Sequence, residues 1–90
     1  MKVTVYLHTG LKYYTGGAER VTVDGKTVRD CLNSLTDKYP RLKRILFDQT
    51  GRLLPLVTVS LNSKTVGEDD LNQPVNEDSE LHLLPVIAGG

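Results

Sequence analysis

Few side chains in this 90-residue chain stand where type and spacing alone would give them a reaction. There is one cysteine, Cys31, and there are two histidines, His8 and His82, far apart in sequence. One thiol makes no disulfide within the chain, and two imidazoles with no third ligand in pattern do not make a metal site. No serine, histidine and acid set is legible. The final stretch, Leu84-Pro85-Val86-Ile87-Ala88-Gly89-Gly90, is different. Its last group is the carboxylate of Gly90. A carboxylate is a poor electrophile, but joined to a good leaving group it becomes an acyl donor. A glycine there leaves the carbon to be attacked unshielded, and Gly89 can take backbone angles closed to other residues. Fully extended, Val86 to Gly90 reaches about 15–17 Å at roughly 3.3 Å per residue. That is enough to enter a neighbour's active site while the folded body stays outside. The plainer alternative is a frayed chain end.

The remaining chemistry-bearing residues read as structural. Cys31 falls on the apolar stripe of a helix and is expected to be a buried thiol, not a nucleophile. His8 and His82 would meet only if the first and last strands pair; a satisfied or solvated histidine is the default, and no metal is expected. Lys38, Arg41, Lys43 and Arg44 form a basic cluster, read first as a solvated face and second as a docking surface for an acidic partner. Asp69-Asp70 and Glu77-Asp78 read as solvated loop charges.

The elements that must position the tail follow from periodicity. Val3, Val5 and Leu7 alternate with Lys2, Thr4 and Tyr6, which predicts a strand with one buried face. Thr15-Gly16-Gly17 signals a turn, and Arg20 to Val23 alternates again, so residues 2–23 read as a hairpin with a long loop. Thr27 and Asp30 fit a capping box. Val28, Cys31, Leu32, Leu35 and Tyr39 then form one apolar stripe of a helix of about three turns, ended by Pro40. Leu42, Ile45 and Leu46 suggest a second short helical turn, and Asp48 to Gly51 a loop. Leu56 to Leu61 reads as a third strand, Asn62-Ser63 as a tight reversal, and Lys64 to Val66 as a short fourth strand. Residues 67–78 read as a polar loop anchored by Leu71 and Val75. Glu80 to Pro85 is the final strand, with Leu81 and Leu83 inward. Leu84 then points away from the core or is buried at the strand end; both readings stand.

The expected fold class is therefore α+β: a mixed sheet of four to five strands with one main helix packed across it, a β-grasp if the first and last strands lie side by side in the middle. Ninety residues make one domain, 1–90, with 86–90 as its tail, and too small a body to wall off a deep substrate cavity. That weighs against an enzyme. Eleven basic residues balance eleven acidic ones, so no general pull toward nucleic acid or anionic membrane arises. The start lacks the apolar core of a signal peptide, and no apolar run approaches the roughly 20 residues of a membrane span. A soluble, cytoplasmic protein is expected.

The ending, in a chain of this length and strand order, resembles the MoaD/ThiS family of ubiquitin-related sulfur carriers. The early hairpin, the helix from Val28 and the Val57-Thr58-Val59-Ser60-Leu61-Asn62 strand and turn agree with it. Small subunits of molybdopterin synthase typically carry two consecutive prolines in this tail, whereas here Val86 follows Pro85. Thiamin-pathway carriers are usually shorter, and this chain has an extra segment around residues 40–55. The tail is closest to the CysO-type carriers of cysteine biosynthesis.

The resemblance implies a carrier protein that serves as co-substrate, with no cofactor of its own. A ubiquitin-activating-type adenylating enzyme (MoeB/ThiF-like) would use ATP and Mg to adenylate Gly90. A sulfur donor would convert it to a thiocarboxylate, and an acceptor enzyme such as a cysteine synthase would take the sulfur. Leu84, Pro85, Val86, Ile87 and Ala88 would be the partner-binding residues, Gly89 and Gly90 the reactive end. The alternatives left open are a molybdopterin synthase subunit, a thiamin-pathway carrier, and a modifier conjugated to lysines. No nucleic-acid or membrane partner is expected.

Overall fold

The computed structural model describes residues 1–86 of the 90. It contains five strands, β1 (Lys2–Leu7), β2 (Arg20–Asp24), β3 (Val57–Leu61), β4 (Lys64–Val66) and β5 (Glu80–Pro85), and two helices, α1 (Val28–Lys38) and α2 (Pro40–Leu46). Each strand except the short β4 alternates, and the buried set lies on one face of the sheet. The order across the sheet is β2-β1-β5-β3-β4. β1 and β5 run parallel in the centre; every other pairing is antiparallel. This is the β-grasp arrangement, and the central pairing is one that periodicity alone does not supply.

Helix α1 starts where Thr27 caps it: the Asp30 N–H donates to Thr27 Oγ1 at 3.1 Å. The reciprocal arm differs from a standard capping box, because the Asp30 carboxylate accepts from Lys26 N–H at 3.2 Å, one residue further upstream. The turn before the helix is tight. A Cβ on Gly25 would lie 2.7 Å from the Cys31 backbone nitrogen and 2.8 Å from its Sγ, so only glycine lets β2 run this close to α1.

Pro40 ends α1 as expected, and it also begins α2. Tyr39, forced out of helical geometry by the proline after it, has φ −128° and ψ 82° and stands between the two helices. Pro40 takes the first position of α2, where its missing N–H costs nothing. The second short helical turn expected at Leu42, Ile45 and Leu46 is thus a helix of seven residues that joins the main one. Its Leu42 and Leu46 are fully buried in the same core as Val28, Cys31, Leu32 and Leu35 of α1 and the inward residues of the sheet.

Strand β3 begins at Val57, one residue later than expected; Leu56 is exposed and gives only its carbonyl, to Val86. The β3–β4 reversal is a two-residue turn with both φ values positive, 50° at Asn62 and 74° at Ser63, the handedness that matches strand twist. Asn62 also binds β5: its Oδ1 accepts from Glu80 N–H at 2.9 Å. Leu71 and Val75 anchor the 67–78 loop in the core. That loop is tied to α1 by Arg29, whose guanidinium lies 3.0 Å from Glu68 Oε1, while Glu68 Oε2 accepts from Leu53 N–H at 2.6 Å.

Candidate functional site

Strand β5 carries the chain to its last residues, and the sheet holds it on both sides. Leu81 and Leu83 are fully buried, opposite Leu61 and Val59 of β3 and Val5 and Leu7 of β1. Alternation then turns Leu84 to the open face of the sheet, opposite Thr58. Its side chain is 40% exposed, so of the two readings left open by sequence the exposed one holds. Pro85 is half-buried opposite Val57. The Val86 N–H donates to the Leu56 carbonyl at 2.9 Å, and the Val86 side chain is half-exposed. Ile87, Ala88, Gly89 and Gly90 lie outside the described residues.

Next to Leu84, the open face holds a chain of polar contacts. The His8 N–H donates to the Leu83 carbonyl at 3.0 Å. His8 Nε2 and His82 Nδ1 are 2.8 Å apart, and His82 Nε2 is 3.1 Å from Glu80 Oε1. The Tyr6 ring stacks on His82 at 4.6 Å with planes 11° apart. The parallel β1–β5 register sets Tyr6 opposite His82, and Arg20, Ser60 and Thr65 continue the row over the other strands. The histidines are thus satisfied by each other. Sequence reading left the meeting of His8 and His82 conditional on the pairing of the first and last strands and did not see the part of Tyr6 and Glu80. The signal was present as residue pairs two apart, Tyr6/His8 and Glu80/His82, but only the parallel register brings them together.

Cys31 is fully buried. Burial, with a smaller contribution from the Asp30 charge, pushes its thiol up to about 11, so almost none of it is thiolate at neutral pH. Among the described residues no three or more metal-ligating side chains come together. Nor, among the described residues, is any helix long and apolar enough to cross a membrane. Within the basic cluster, Arg41 stands in the wall of a groove beside Pro85 and Tyr14, Arg44 shares the adjoining pocket with Arg41, Tyr14 and Ile45, and Lys43 and Arg44 also line a pocket with Phe47 and Asp48. Sequence reading did not find that groove, whose other wall is a short helical turn, Leu11–Tyr14, too short to show periodicity.

The chain matches the ThiS family model over residues 5–90. It is 29% identical over 93 residues to the sulfur carrier protein CysO of Mycobacterium tuberculosis, covering 100% of both chains. Among solved structures it is similar to SAMP1 from Haloferax volcanii, a small archaeal modifier protein, with a TM-score of 0.86 and 27% identity over 100% of both chains. It is also similar to a chain of the BexX/CysO complex of Amycolatopsis orientalis, with a TM-score of 0.83 and 30% identity, covering 98% of this chain and 99% of that one. The sheet order, the helix across it and these likenesses agree on a ubiquitin-like β-grasp. The chain belongs to the ThiS family of sulfur-carrier-like proteins.

Proposed function

We propose that this protein is a sulfur carrier whose reactive group is the Gly90 carboxylate, acting in the cytoplasm, where ATP is available. The observation that supports it most is the delivery of the chain end. The central strand β5, paired on both sides, runs out at Pro85 with Leu84 and Val86 exposed beside the exit. A body of this kind offers a fixed handle to a partner enzyme and leaves the chemistry to the residues that follow.

In the proposed sequence, a Gly90 carboxylate oxygen attacks the α-phosphorus of ATP in the site of a MoeB/ThiF-like adenylating enzyme, and pyrophosphate leaves. A sulfur nucleophile attacks the acyl carbon, and AMP leaves with the C–O bond electrons. The thiocarboxylate that results is an ionised, soft nucleophile held on a protein, which raises its effective concentration in an acceptor enzyme. Leu84, Pro85, Val86, Ile87 and Ala88 contact the partners, and Gly89 gives the backbone its freedom in a narrow channel. The chain needs no cofactor of its own; ATP and Mg belong to the activating enzyme. The likeness to CysO favours an acceptor of the cysteine synthase kind, with cysteine or a related thiol as product. The likeness to SAMP1 favours a second reading, conjugation of Gly90 to lysines after the same activation.

ATP–pyrophosphate exchange with the adenylating enzyme of the same organism tests the first step. Exchange is expected with the native chain and is sharply reduced with Gly90→Ala, while thermal unfolding of the two is the same. Absence of exchange with the native chain, or an equal loss of stability in Gly90→Ala, would contradict the proposal.

A further inference from the structure

The exit of β5 is bordered by a groove of about 540 Å³ between the Leu11–Tyr14 turn and α2. Tyr13, Tyr14, Ile45, Leu56 and Pro85 line it, and Arg41 stands in its wall. We propose that this groove is a docking site for an acidic segment of the activating partner that carries one aromatic or aliphatic side chain. The inference rests on the carrier reading above and deepens it.

Four observations carry it. The lining is apolar yet wet: Tyr13 is 78% exposed and Leu56 51% exposed, an arrangement that suits an incoming apolar side chain. The rim is cationic. Arg41 stands in the groove wall and Arg44, one helical turn further along α2, borders the adjoining pocket that shares Arg41, Tyr14 and Ile45; neither forms an ion pair among the described residues, and the Leu11–Tyr14 turn contains no acid. Two guanidinium forks match carboxylates better than any other protein group. The groove also adjoins the exit, since Pro85 forms part of its wall, so a protein that receives the residues after Val86 comes close to it. It is held in shape before binding. The Tyr13 N–H donates to the Gly10 carbonyl at 3.1 Å, and the buried Thr15 hydroxyl bridges the Lys12 and Ala18 carbonyls at 3.1 and 2.7 Å. A nucleic acid is the weaker fit, because two cations beside an apolar groove do not track a phosphate backbone.

The test has two arms. In the first, the ¹⁵N-labelled full chain is titrated with a capped peptide in which one phenylalanine is flanked by aspartates. Shifts are expected at Tyr13, Tyr14, Arg41, Ile45 and Leu56, weakened about tenfold in Arg41→Glu and absent with a lysine-flanked peptide. The proposal is overturned by shifts elsewhere only, by equal response to both peptides, or by stronger binding of a single-stranded oligonucleotide. Concentration-dependent shifts of the same residues without peptide would assign the groove to a second copy and also overturn it. In the second arm, Arg41→Glu combined with Arg44→Glu should raise KM for the carrier in adenylation about tenfold with kcat retained, and Lys64→Glu on the far edge should leave both unchanged. Unchanged KM in the double variant overturns the proposal. Failure of the native chain to be adenylated would instead reject the carrier reading, and the peptide titration would then decide the groove by itself.

Discussion

The rings of His8 and His82 meet across the two central strands, Nε2 to Nδ1 at 2.8 Å, and the far nitrogen of His82 faces the Glu80 carboxylate at 3.1 Å. An ionised carboxylate only accepts, so the His82 hydrogen sits on Nε2. In the neutral ring Nδ1 then accepts from His8 Nε2–H. Long-range ¹H–¹⁵N spectra should show a protonated Nε2 on both rings and a bare Nδ1 on neutral His82. A proton on His82 Nδ1 of the neutral ring would contradict the arrangement.

Cys31 is a packing residue by the same standard of geometry. With its thiol pushed up to about 11, only on the order of one molecule in a thousand is thiolate at pH 8, against roughly a quarter for an ordinary cysteine. Alkylation by iodoacetamide at pH 8 should be on the order of 10²-fold slower in the folded chain than in denaturant. Equal rates would place the thiol at the surface.

Glu68 links the 67–78 loop to α1 and to Leu53. The Leu53 N–H bond, and then the Arg29 guanidinium, hold its carboxyl below the usual range. A lowered folded-state pKa contributes stability above the unfolded value, about 4.3, and that contribution is lost as pH falls through the folded value. Glu68→Gln should therefore be less stable than the native chain at pH 7, with the two urea midpoints converging below about pH 4. Parallel curves down to pH 2 would show that the carboxylate adds nothing.

Leu83 and Leu84 are neighbours with opposite roles. Leu83 is fully buried and Leu84 is 40% exposed. Leu83→Ala should cost about 2–5 kcal/mol in unfolding free energy. Leu84→Asp should stay within about 0.5 kcal/mol of the native chain yet raise KM in adenylation. Comparable destabilisation by both would mean that Leu84 is a core residue.

Much of this architecture was legible in the residues, because one-sided burial writes period two into Val3-Val5-Leu7 and period 3.6 into Val28-Cys31-Leu32-Leu35. What escaped depends on register or on short segments. The parallel pairing of β1 and β5 leaves no mark in either strand alone, so the meeting of His8 and His82 stood only as a condition on that pairing, and the part played by Tyr6 and Glu80 went unseen. Pro40 was read as a stop, and it is also the first residue of α2, a dual role open to proline alone. The Arg29–Glu68 tie joins residues 39 apart, and nothing local in the chain marks it. The exposure of Leu84 followed from the phase of Leu81 and Leu83 but needed the sheet to decide it. The functional reading rests on Gly89 and Gly90 by residue type and place in the sequence, and both lie outside the described residues.

The most direct test is the intact mass of the protein after incubation with its adenylating enzyme, ATP, Mg and a sulfide source. The expected product is heavier by the replacement of one oxygen by sulfur, with the change confined to Gly90 on peptide mapping. A chain of unchanged mass under conditions where the enzyme activates another carrier, or only a ladder of lysine-linked conjugates, would contradict it.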